Sequence, residues 1–395
     1  MCDTLCVIGN DRTLFAKNSD RSPSEPQVVE SYMARKGDGF LRTQYLDIPD
    51  AAAHSLLGSR PAWLWGMEHG VNEHRVAIGN EKIWTIDDPR SCSPALIGMD
   101  LVRLGLERAN TADNALEVIT TLLERHGQGG SGELEHDEPY FSSFLIADPH
   151  AAWILETSAT TWVASPVSGG AAISNRVSIS TGWTRSSQDV PSGTDFQKWR
   201  DPDASVAIAD QRLAATCAVV ATEPDAVSPE SLVATLRHHG GKAWGGPGAP
   251  LTDVSPIHGA DLEWEGVTVC MHVGDYQTTT ASMIAELLPD PHAPQRAWVA
   301  LGSPCTSIYV PVFAPSGTLA QLGEDATWER FRVLRDRAQE EPEGLAKIRA
   351  VLGPVEDALW QEAEAAFRTG LQGKIDGYLS HAWGPIDGAL TQLNA

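Results

Sequence analysis

The residue in this sequence best suited to chemistry is Cys2, which directly follows the initiator Met1. Methionine aminopeptidases remove an initiator methionine when the next side chain is small, and cysteine qualifies. The processed chain would then begin with a thiol and a free α-amine in one residue. Because an α-amine titrates near ~7.7 and a thiol near ~8.5, the amine can take the proton of the thiol at neutral pH. The sequence therefore predicts an N-terminal nucleophile that carries its own base.

An N-terminal cysteine that cleaves amides needs a carboxylate to orient the developing ammonium, and donors to hold the oxyanion. Asp20 is the predicted carboxylate, because a short hairpin returns it toward Cys2. Lys17 supplies a nearby cation that favours the thiolate. Asn80 and Asn175 end predicted strands, where a primary amide can donate to an oxyanion without being charged. Taken singly, each of these residues also fits an ordinary turn or a solvated face.

The elements that must position these residues begin with the hairpin. A β-prone run over 4–8, a Gly-Asn-Asp turn and an extended run over 13–16 predict it. Paired helices are predicted at about 94–109 and 112–125, and a strand-rich middle follows.

Further helices are predicted around 204–221 and 229–239, strands return up to about 312, and helices resume from about 326. This order does not suit an alternating βαβ sheet and predicts an α+β fold of packed antiparallel sheets covered by helices. We expect one hydrolase domain over 2–320 and a C-terminal helical extension over 321–395.

The composition excludes several classes of function. The formal net charge of -23, from 52 acidic and 29 basic residues, argues against binding to nucleic acid or to anionic membranes. Six cysteines are scattered without a CxxC pair, which is typical of free thiols in a reducing cytosol. The sequence shows neither a signal-peptide pattern nor a run of about 18 apolar residues. We therefore expect a cytoplasmic protein.

Two histidine pairs resemble metal ligands at first sight, namely His238 with His239 and His69 with His74. Neither pair has the spacing of a zinc site, and no HExxH motif occurs. The sequence therefore predicts core or surface histidines, with no metal and no cofactor. The glycine-rich run over 240–246 predicts a loop that borders a pocket.

Together, the candidate residues resemble the opening of the secernins and of the bacterial broad-specificity dipeptidases related to them. The likeness begins with the run Cys2-Asp3-Thr4 and continues in the segment over 16–21. It extends over most of residues 2 to 313, through the segments 78–81, 84–85, 98–103, 144–149, 173–178 and 278–283.

The resemblance implies the N-terminal-nucleophile (Ntn) hydrolase fold, a four-layer αββα sandwich. Penicillin V acylases and bile salt hydrolases are more distant relatives with the same sandwich. By this resemblance, Cys2 is nucleophile and base, Asp20 is the carboxylate near the amine, and Asn80 and Asn175 help to bind the oxyanion.

The sequence departs from the acylases at Lys17, where they have arginine. Lysine keeps the charge but loses the planar fork, so a bidentate role does not carry over. The later catalytic arginine of the acylases corresponds to Arg176 or Arg212, and the sequence leaves both open. Asn18 and Arg176 are the predicted substrate-binding residues.

These observations predict a cysteine hydrolase of C–N amide bonds, first of all a dipeptidase. One alternative is an acyl-amide hydrolase like the acylases. Another is a regulatory protein without enzymatic activity, because secernins are associated with exocytosis and membrane contact partners. The expected partner is a small peptide or acyl-amide substrate, without nucleic acid or membrane insertion, and assembly into a homo-oligomer stays open.

Overall fold

The computed structural model describes residues 1–205, 208–239, 266–274, 276–314, 317–341 and 343–395. The strands are β1 (Cys2–Ile8), β2 (Thr13–Arg21), β3 (Gln27–Tyr32), β4 (Phe40–Arg42), β5 (Asp47–Pro49), β6 (Leu56–Pro61), β7 (His69–Asn72), β8 (Ala77–Ile83), β9 (Phe141–Ala147), β10 (Ala152–Ser158), β11 (Thr161–Pro166), β12 (Gly170–Ile173), β13 (Arg185–Ser186), β14 (His272–Val273), β15 (Gln277–Leu287), β16 (Gln295–Leu301) and β17 (Val310–Ala314). The helices are α1 (Gly98–Arg108), α2 (Ala112–His126), α3 (Asp210–Val220), α4 (Pro229–Leu236), α5 (Asp325–Glu340), α6 (Gly344–Thr369), α7 (Gln372–His381) and α8 (Trp383–Gln392).

Two antiparallel sheets form the centre of the molecule. The first has the strand order β12-β1-β2-β15-β16-β17, with β14 paired to β15. The second has the order β13-β11-β10-β9-β8-β7-β6-β3. Every residue of β2 and of β15 is buried, because these central strands are covered on both faces. The N-terminal strand β1 therefore lies inside the first sheet.

Helices cover the outer face of each sheet. Helix α1 contacts β7 and β8, α2 contacts β9 and β10, α3 contacts β1 and β12, and α4 contacts β2 and β15. Between the sheets, β1 contacts β8 and β9. The layers therefore run helix, sheet, sheet, helix, which confirms the predicted α+β, four-layer αββα sandwich.

The alternation of side chains along β1 explains this layering. Leu5 and Val7 pack in one apolar cluster with Leu232 and Leu236 of α4. Cys6 faces the opposite way and belongs to the core between the sheets, together with Phe15. Successive residues of a strand point to opposite faces, so one short strand supplies two cores.

The C-terminal helices α5 to α8 are present and share the inter-sheet core. Trp328, Leu352 and Tyr378 belong to the same apolar cluster as Val299 and Val312 of the first sheet. The division of the chain into a domain over residues 2–320 and an extension over residues 321–395 stays a prediction.

The other sequence predictions have mixed outcomes. The N-terminal hairpin is confirmed, with Thr4 opposite Lys17 and Ile8 opposite Thr13. The helix predicted from about 94 begins only at Gly98, and the one predicted from about 204 begins at Asp210. The predicted loop over 240–246 lies outside the described residues. No helix within the described ranges combines the length and apolarity needed to cross a bilayer.

Candidate active site

Cys2 is the first residue of β1 and is 5% exposed. It pairs with Ser19 of β2 across the hairpin, and on its other side β1 pairs with β12 only from Thr4 onward. Its backbone N–H donates to Asn175 Oδ1 at 2.7 Å. The nitrogen that would become the α-amine after removal of Met1 therefore already has a hydrogen-bond acceptor.

Met1 occupies the space next to Cys2. Its amine donates to the carbonyl oxygen of Asp20 at 2.9 Å and to Gln277 Oε1, and its carbonyl accepts from the Asp20 N–H at 2.8 Å. Its side chain packs in an apolar cluster with Ile208 and Met271. Burial lowers the pKa of this amine, which the negative charges nearby oppose.

The thiol of Cys2 points between the two sheets. Its sulfur lies 3.9 Å from Glu68 Oε2. Burial raises the pKa of the Cys2 thiol to about 11, although the positive charge of Lys17 acts in the opposite direction. The thiol is therefore protonated at neutral pH and needs a base before it can attack.

Lys17 is fully buried, on the same face of the hairpin as Cys2. Its Nζ donates to the carbonyl oxygen of Asn80 at 2.8 Å and lies 3.7 Å from Glu81 Oε1. Burial alone would lower the pKa of Lys17, but the thiolate form of Cys2 and the nearby carboxylates of Glu81 and Glu68 raise it overall. Lys17 is therefore a fixed cation beside the thiol. Burial raises the pKa of its partner Glu81 to about 7, and Lys17 opposes that rise.

Glycine at position 79 makes this position of Lys17 attainable. A Cβ at Gly79 would lie 2.5 Å from Lys17 Cδ, closer than carbon atoms can approach. The Ile78-Gly79-Asn80 run thus combines a space for the lysine stem with the carbonyl group that binds its ammonium.

Asp20 lies on the other face of β2 and is paired with a buried arginine. Its Oδ1 accepts from the Thr279 hydroxyl at 2.6 Å, and its Oδ2 lies 3.6 Å from Arg212 Nη1. Burial raises the pKa of the Asp20 carboxyl to about 6, while the N-terminal amine and Arg212 act to lower it. The carboxyl group titrates close to neutral pH and responds to its hydrogen-bond donors.

Of the two candidate arginines, Arg212 of α3 is the one that contacts Cys2 and its neighbours. Its guanidinium donates to Asp3 Oδ2 at 2.6 Å, to the Cys2 carbonyl oxygen at 3.0 Å and to Asn175 Oδ1 at 2.7 Å. Arg176 instead pairs with Asp210 and does not line the cavity that contains Cys2. Only Arg212 of this pair contacts the backbone of Cys2.

The two asparagines have different partners. Asn175 uses Oδ1 on the Cys2 N–H and Arg212, and its Nδ2 donates to the Lys82 carbonyl oxygen at 2.8 Å. Asn80 Nδ2 has only long contacts, 3.5 Å to Ser142 Oγ and 3.7 Å to Met99 Sδ. Asn175 positions the Cys2 nitrogen, whereas the amide of Asn80 can turn to a new acceptor.

A small cavity brings the candidate residues together. Its walls include Cys2, Asp20 and Asn80. The remaining lining residues are Met1, Arg21, Glu68, Lys82, Glu133 and Tyr140. Of these, Arg21 forms ion pairs with Glu68 at 3.2 Å and with Glu133 at 3.7 Å. The sequence reasoning did not single out Glu68, Glu133 or Tyr140, because no local motif links these residues to Cys2.

Asn18 lies away from this cavity. Its Nδ2 donates to the carbonyl oxygens of Leu236 at 2.9 Å and Val269 at 2.8 Å. Roles for Asn18 and Arg176 in substrate binding stay predictions, as do the catalytic roles of Cys2 and its neighbours.

Among the described hydrogen bonds, the Cys2 thiol has none to His69 or His74. His69 Nδ1 lies 3.0 Å from Ser19 Oγ, and burial lowers the pKa of His69 well below its usual range. His74 packs edge-on against His54.

No protein-family model matches the sequence. Among solved structures, the chain is similar to a mutant of the conjugated bile acid hydrolase from Clostridium perfringens, with 10% identity and a TM-score of 0.47, over 82% of this chain and 94% of that one. It is also similar to the penicillin V acylase from Agrobacterium tumefaciens, with 11% identity and a TM-score of 0.42, over 80% and 87% of the two chains. A third is the Caenorhabditis elegans ortholog of N-acylethanolamine-hydrolyzing acid amidase, with 8% identity and a TM-score of 0.39, over 73% and 95%. At these TM-scores the likenesses identify neither the family nor the activity of this chain.

Proposed function

We propose that this chain is a cysteine hydrolase of C–N amide bonds, specifically a cytoplasmic dipeptidase whose nucleophile is Cys2 after removal of Met1. The observation that carries the proposal is the setting of Cys2 at the head of a central strand. Its nitrogen is held by Asn175 at 2.7 Å, and its thiol lies beside a buried lysine.

The first step is proton transfer within Cys2. Removal of Met1 turns the amide nitrogen, which has no basic lone pair, into an amine. That amine takes the proton of the thiol, and Lys17 stabilises the resulting thiolate. Asp20, with Arg212 beside it, orients the ammonium that forms.

The thiolate then attacks the substrate carbonyl. Asn80 Nδ2, which has only weak contacts in the resting site, donates to the oxyanion of the tetrahedral intermediate. The ammonium of Cys2 returns its proton to the leaving amine, and a thioester remains on the sulfur. Water, deprotonated by the Cys2 amine, hydrolyses the thioester and regenerates the thiol.

The groups that hold Met1 support a substrate with a free amine over a purely apolar acyl group. The Asp20 carbonyl oxygen and Gln277 Oε1 both accept from the α-amine of Met1, and the charge of Glu133 favours that ammonium. Once Met1 is removed, these acceptors lie next to the nucleophile. An aminoacyl substrate can use them, whereas a fatty or aromatic acyl chain leaves buried acceptors unpaired.

The test combines an intact-mass measurement with hydrolysis assays on matched dipeptides and acyl-amides. We expect a mass without Met1, hydrolysis of dipeptides, and no hydrolysis by Cys2→Ala. A variant with an uncleavable N-terminal extension should fold but hydrolyse nothing, because its Cys2 nitrogen remains an amide. Equal rates for Cys2→Ala and the unsubstituted chain would exclude this nucleophile. If the chain hydrolysed acyl-amides faster than dipeptides, an acyl-amide hydrolase would replace the dipeptidase as the proposed function. If the processed chain hydrolysed neither group of substrates, a regulatory protein would be favoured.

A further inference from the structure

Four potential metal ligands from different parts of the chain converge outside the set of residues that line the Cys2 cavity. They are His239, Cys270, His272 and Cys305, and their ligand atoms all lie within 4.8 Å of one another. Three of them are buried, and both cysteines are free thiols. We propose that these four side chains bind one structural Zn²⁺.

The distances within the cluster match a tetrahedral site. His272 Nε2 lies 3.4 Å from Cys270 Sγ and 3.3 Å from Cys305 Sγ. With Zn–S bonds of ~2.3 Å and Zn–N bonds of ~2.0 Å, tetrahedral angles place sulfur and nitrogen about 3.5 Å apart. The His239 ring completes the set, with its centroid 5.3 Å from that of His272. Both nitrogen–sulfur distances at His272 are therefore close to the spacing that zinc requires.

The donor types select zinc among common metals. Two sulfurs and two imidazole nitrogens in a tetrahedral arrangement are typical of structural zinc, whereas magnesium and calcium prefer oxygen. On binding, Cys270 and Cys305 release their protons to solvent, and the two thiolates balance the charge of the metal. A neutral cluster of this kind is compatible with burial, whereas isolated buried charges are not.

Gln339 provides a fitting outer contact. Its side-chain amide lies 3.2 Å from His272 Nδ1. With zinc on Nε2, Nδ1 carries the hydrogen and needs an acceptor. A half-turn of the Gln339 amide presents its oxygen, and the two amide orientations have nearly the same shape.

The position of the cluster indicates what the metal would do. Met271, between two of the ligands, donates its N–H to Thr279 Oγ1 at 2.8 Å, and the same hydroxyl donates to Asp20 Oδ1 at 2.6 Å. In the turn that carries Cys305, the Ser303 hydroxyl donates to the Thr279 carbonyl oxygen at 2.9 Å. Zinc would therefore fix, from behind, the part of β15 that holds the Asp20 carboxylate. Because all four coordination positions come from the chain, the site is structural, not catalytic.

Close spacing of ligands along the sequence is too limited to predict this site. His239 and Cys270 lie on either side of residues 240–265, and Cys305 follows three further strands, β14 to β16. Zinc motifs are recognised by pairs of ligands a few residues apart, and only Cys270 and His272 have such spacing here.

The first test is metal content of the full chain, purified in a reducing buffer with Zn²⁺ supplied and excess metal removed. We expect about one zinc per chain, as for a closed four-ligand site. Cys305→Ser and Cys270→Ser should each lose most of the metal. Cys217→Ser is the matched control, because Cys217 is an exposed free thiol on α3 outside the cluster, and it should keep the metal.

Replacement of zinc by Co²⁺ gives a second readout that needs no variant to fold. The unsubstituted chain should show thiolate-to-cobalt charge-transfer absorption and the intense visible bands of tetrahedral cobalt. A chelator should also lower the melting temperature of the unsubstituted chain, and of Cys217→Ser, more than that of the cluster variants. Absence of both zinc and the cobalt spectrum under reducing conditions would overturn the proposal. A Cys270–Cys305 disulfide that persists in reductant, seen as a mass two hydrogens lower, would overturn it too.

Discussion

The two asparagines beside Cys2 show how partners decide what one residue type can do. Asn175 has its oxygen shared between the Cys2 nitrogen and Arg212, whereas Asn80 keeps a loosely held amide on the cavity wall. The resemblance to the acylases implies one oxyanion role for both. Under the proposed mechanism, these contacts assign Asn175 to positioning the base and Asn80 to stabilising the charge of the oxyanion.

This division predicts two distinct defects. Asn80→Ala and Asn175→Ala should each lower kcat/KM roughly 100–1000-fold, the usual cost of losing a donor or an orienting contact at such a site. Only Asn175→Ala should also move the apparent pKa of the nucleophile in the pH–rate profile, because only Asn175 contacts the Cys2 nitrogen.

The measurement is a full pH–rate profile of both variants on one dipeptide, with near-UV circular dichroism as the control for folding. Asn80→Asp keeps the shape but replaces the donor with an acceptor, so it should be as slow as Asn80→Ala. Unchanged kcat with raised KM in Asn80→Ala would contradict an oxyanion role.

At the scale of elements, the hairpin β1–β2 and the neighbouring strand β15 form one positioning unit. β2 carries Lys17 toward the thiol on one face and Asp20 toward Arg212 on the other. β15 pairs with β2 and places the Thr279 hydroxyl on the Asp20 carboxylate. The position and ionisation of Asp20 therefore depend on a strand distant in sequence.

Thr279→Val should move the acid limb of the kcat/KM profile to higher pH. Burial already raises the pKa of Asp20 to about 6, and the Thr279 hydroxyl opposes this by favouring the ionised form. Without that hydroxyl, the pKa rises further. The carboxylate is then protonated, and lost to catalysis, at a higher pH than in the unsubstituted chain.

Thr280→Val is the matched control for this experiment. Its hydroxyl donates to the Ser19 carbonyl oxygen at 3.2 Å, with no contact to Asp20 among the described hydrogen bonds. It should leave the position of the acid limb unchanged. Equal profiles for Thr279→Val and Thr280→Val would show that Asp20 does not set the acid limb.

The sequence predicted the elements whose partners are close along the chain. The hairpin follows from a turn between two β-prone runs, and it brings Lys17 and Asp20 to Cys2. Helix α2 follows from its apolar periodicity and the Thr111 cap, whose hydroxyl accepts from Asn114 N–H. Where local signals were strong, the predicted element is present.

Residues whose partners are distant in sequence could not be predicted in the same way. Arg212 comes from α3 and Glu68 from the segment before β7, so only tertiary packing brings either to Cys2. The strand β7 is buried throughout and contains glycine and asparagine, so it shows no alternation. The cluster of His239, Cys270, His272 and Cys305 also depends on tertiary packing and could not be predicted from local signals.

At the scale of the whole molecule, the C-terminal helices complete the core of the first sheet. Trp328 of α5 is fully buried, and its indole N–H donates to the Thr280 carbonyl oxygen at 2.9 Å. On α6, the Glu356 carboxylate accepts from the Tyr309 N–H at 2.8 Å and from Arg237 at 2.7 Å. These contacts join the helices to the strand that supports Asp20 and to the end of α4.

We therefore expect one cooperative unfolding transition for the whole chain, despite the predicted division at residue 320. Trp328→Ala should lower the free energy of unfolding by about 3–5 kcal/mol, since it leaves a large cavity in a shared core. It also removes one of the two hydrogen bonds that the Thr280 carbonyl oxygen accepts, while the Gly302 N–H remains. Val333→Ala on the same helix is the control. Val333 is 39% exposed, and its loss should cost less than about 0.5 kcal/mol.

Urea titrations followed by tryptophan fluorescence and by far-UV circular dichroism test this expectation. The two signals should coincide for the full chain, with Trp328→Ala shifting both midpoints together. A chain ending at residue 320 should show no cooperative transition, because it exposes the apolar face that Trp328 and its neighbours cover. If that shorter chain unfolds cooperatively with the stability of the full chain, the helices are an independent extension and the core is not shared.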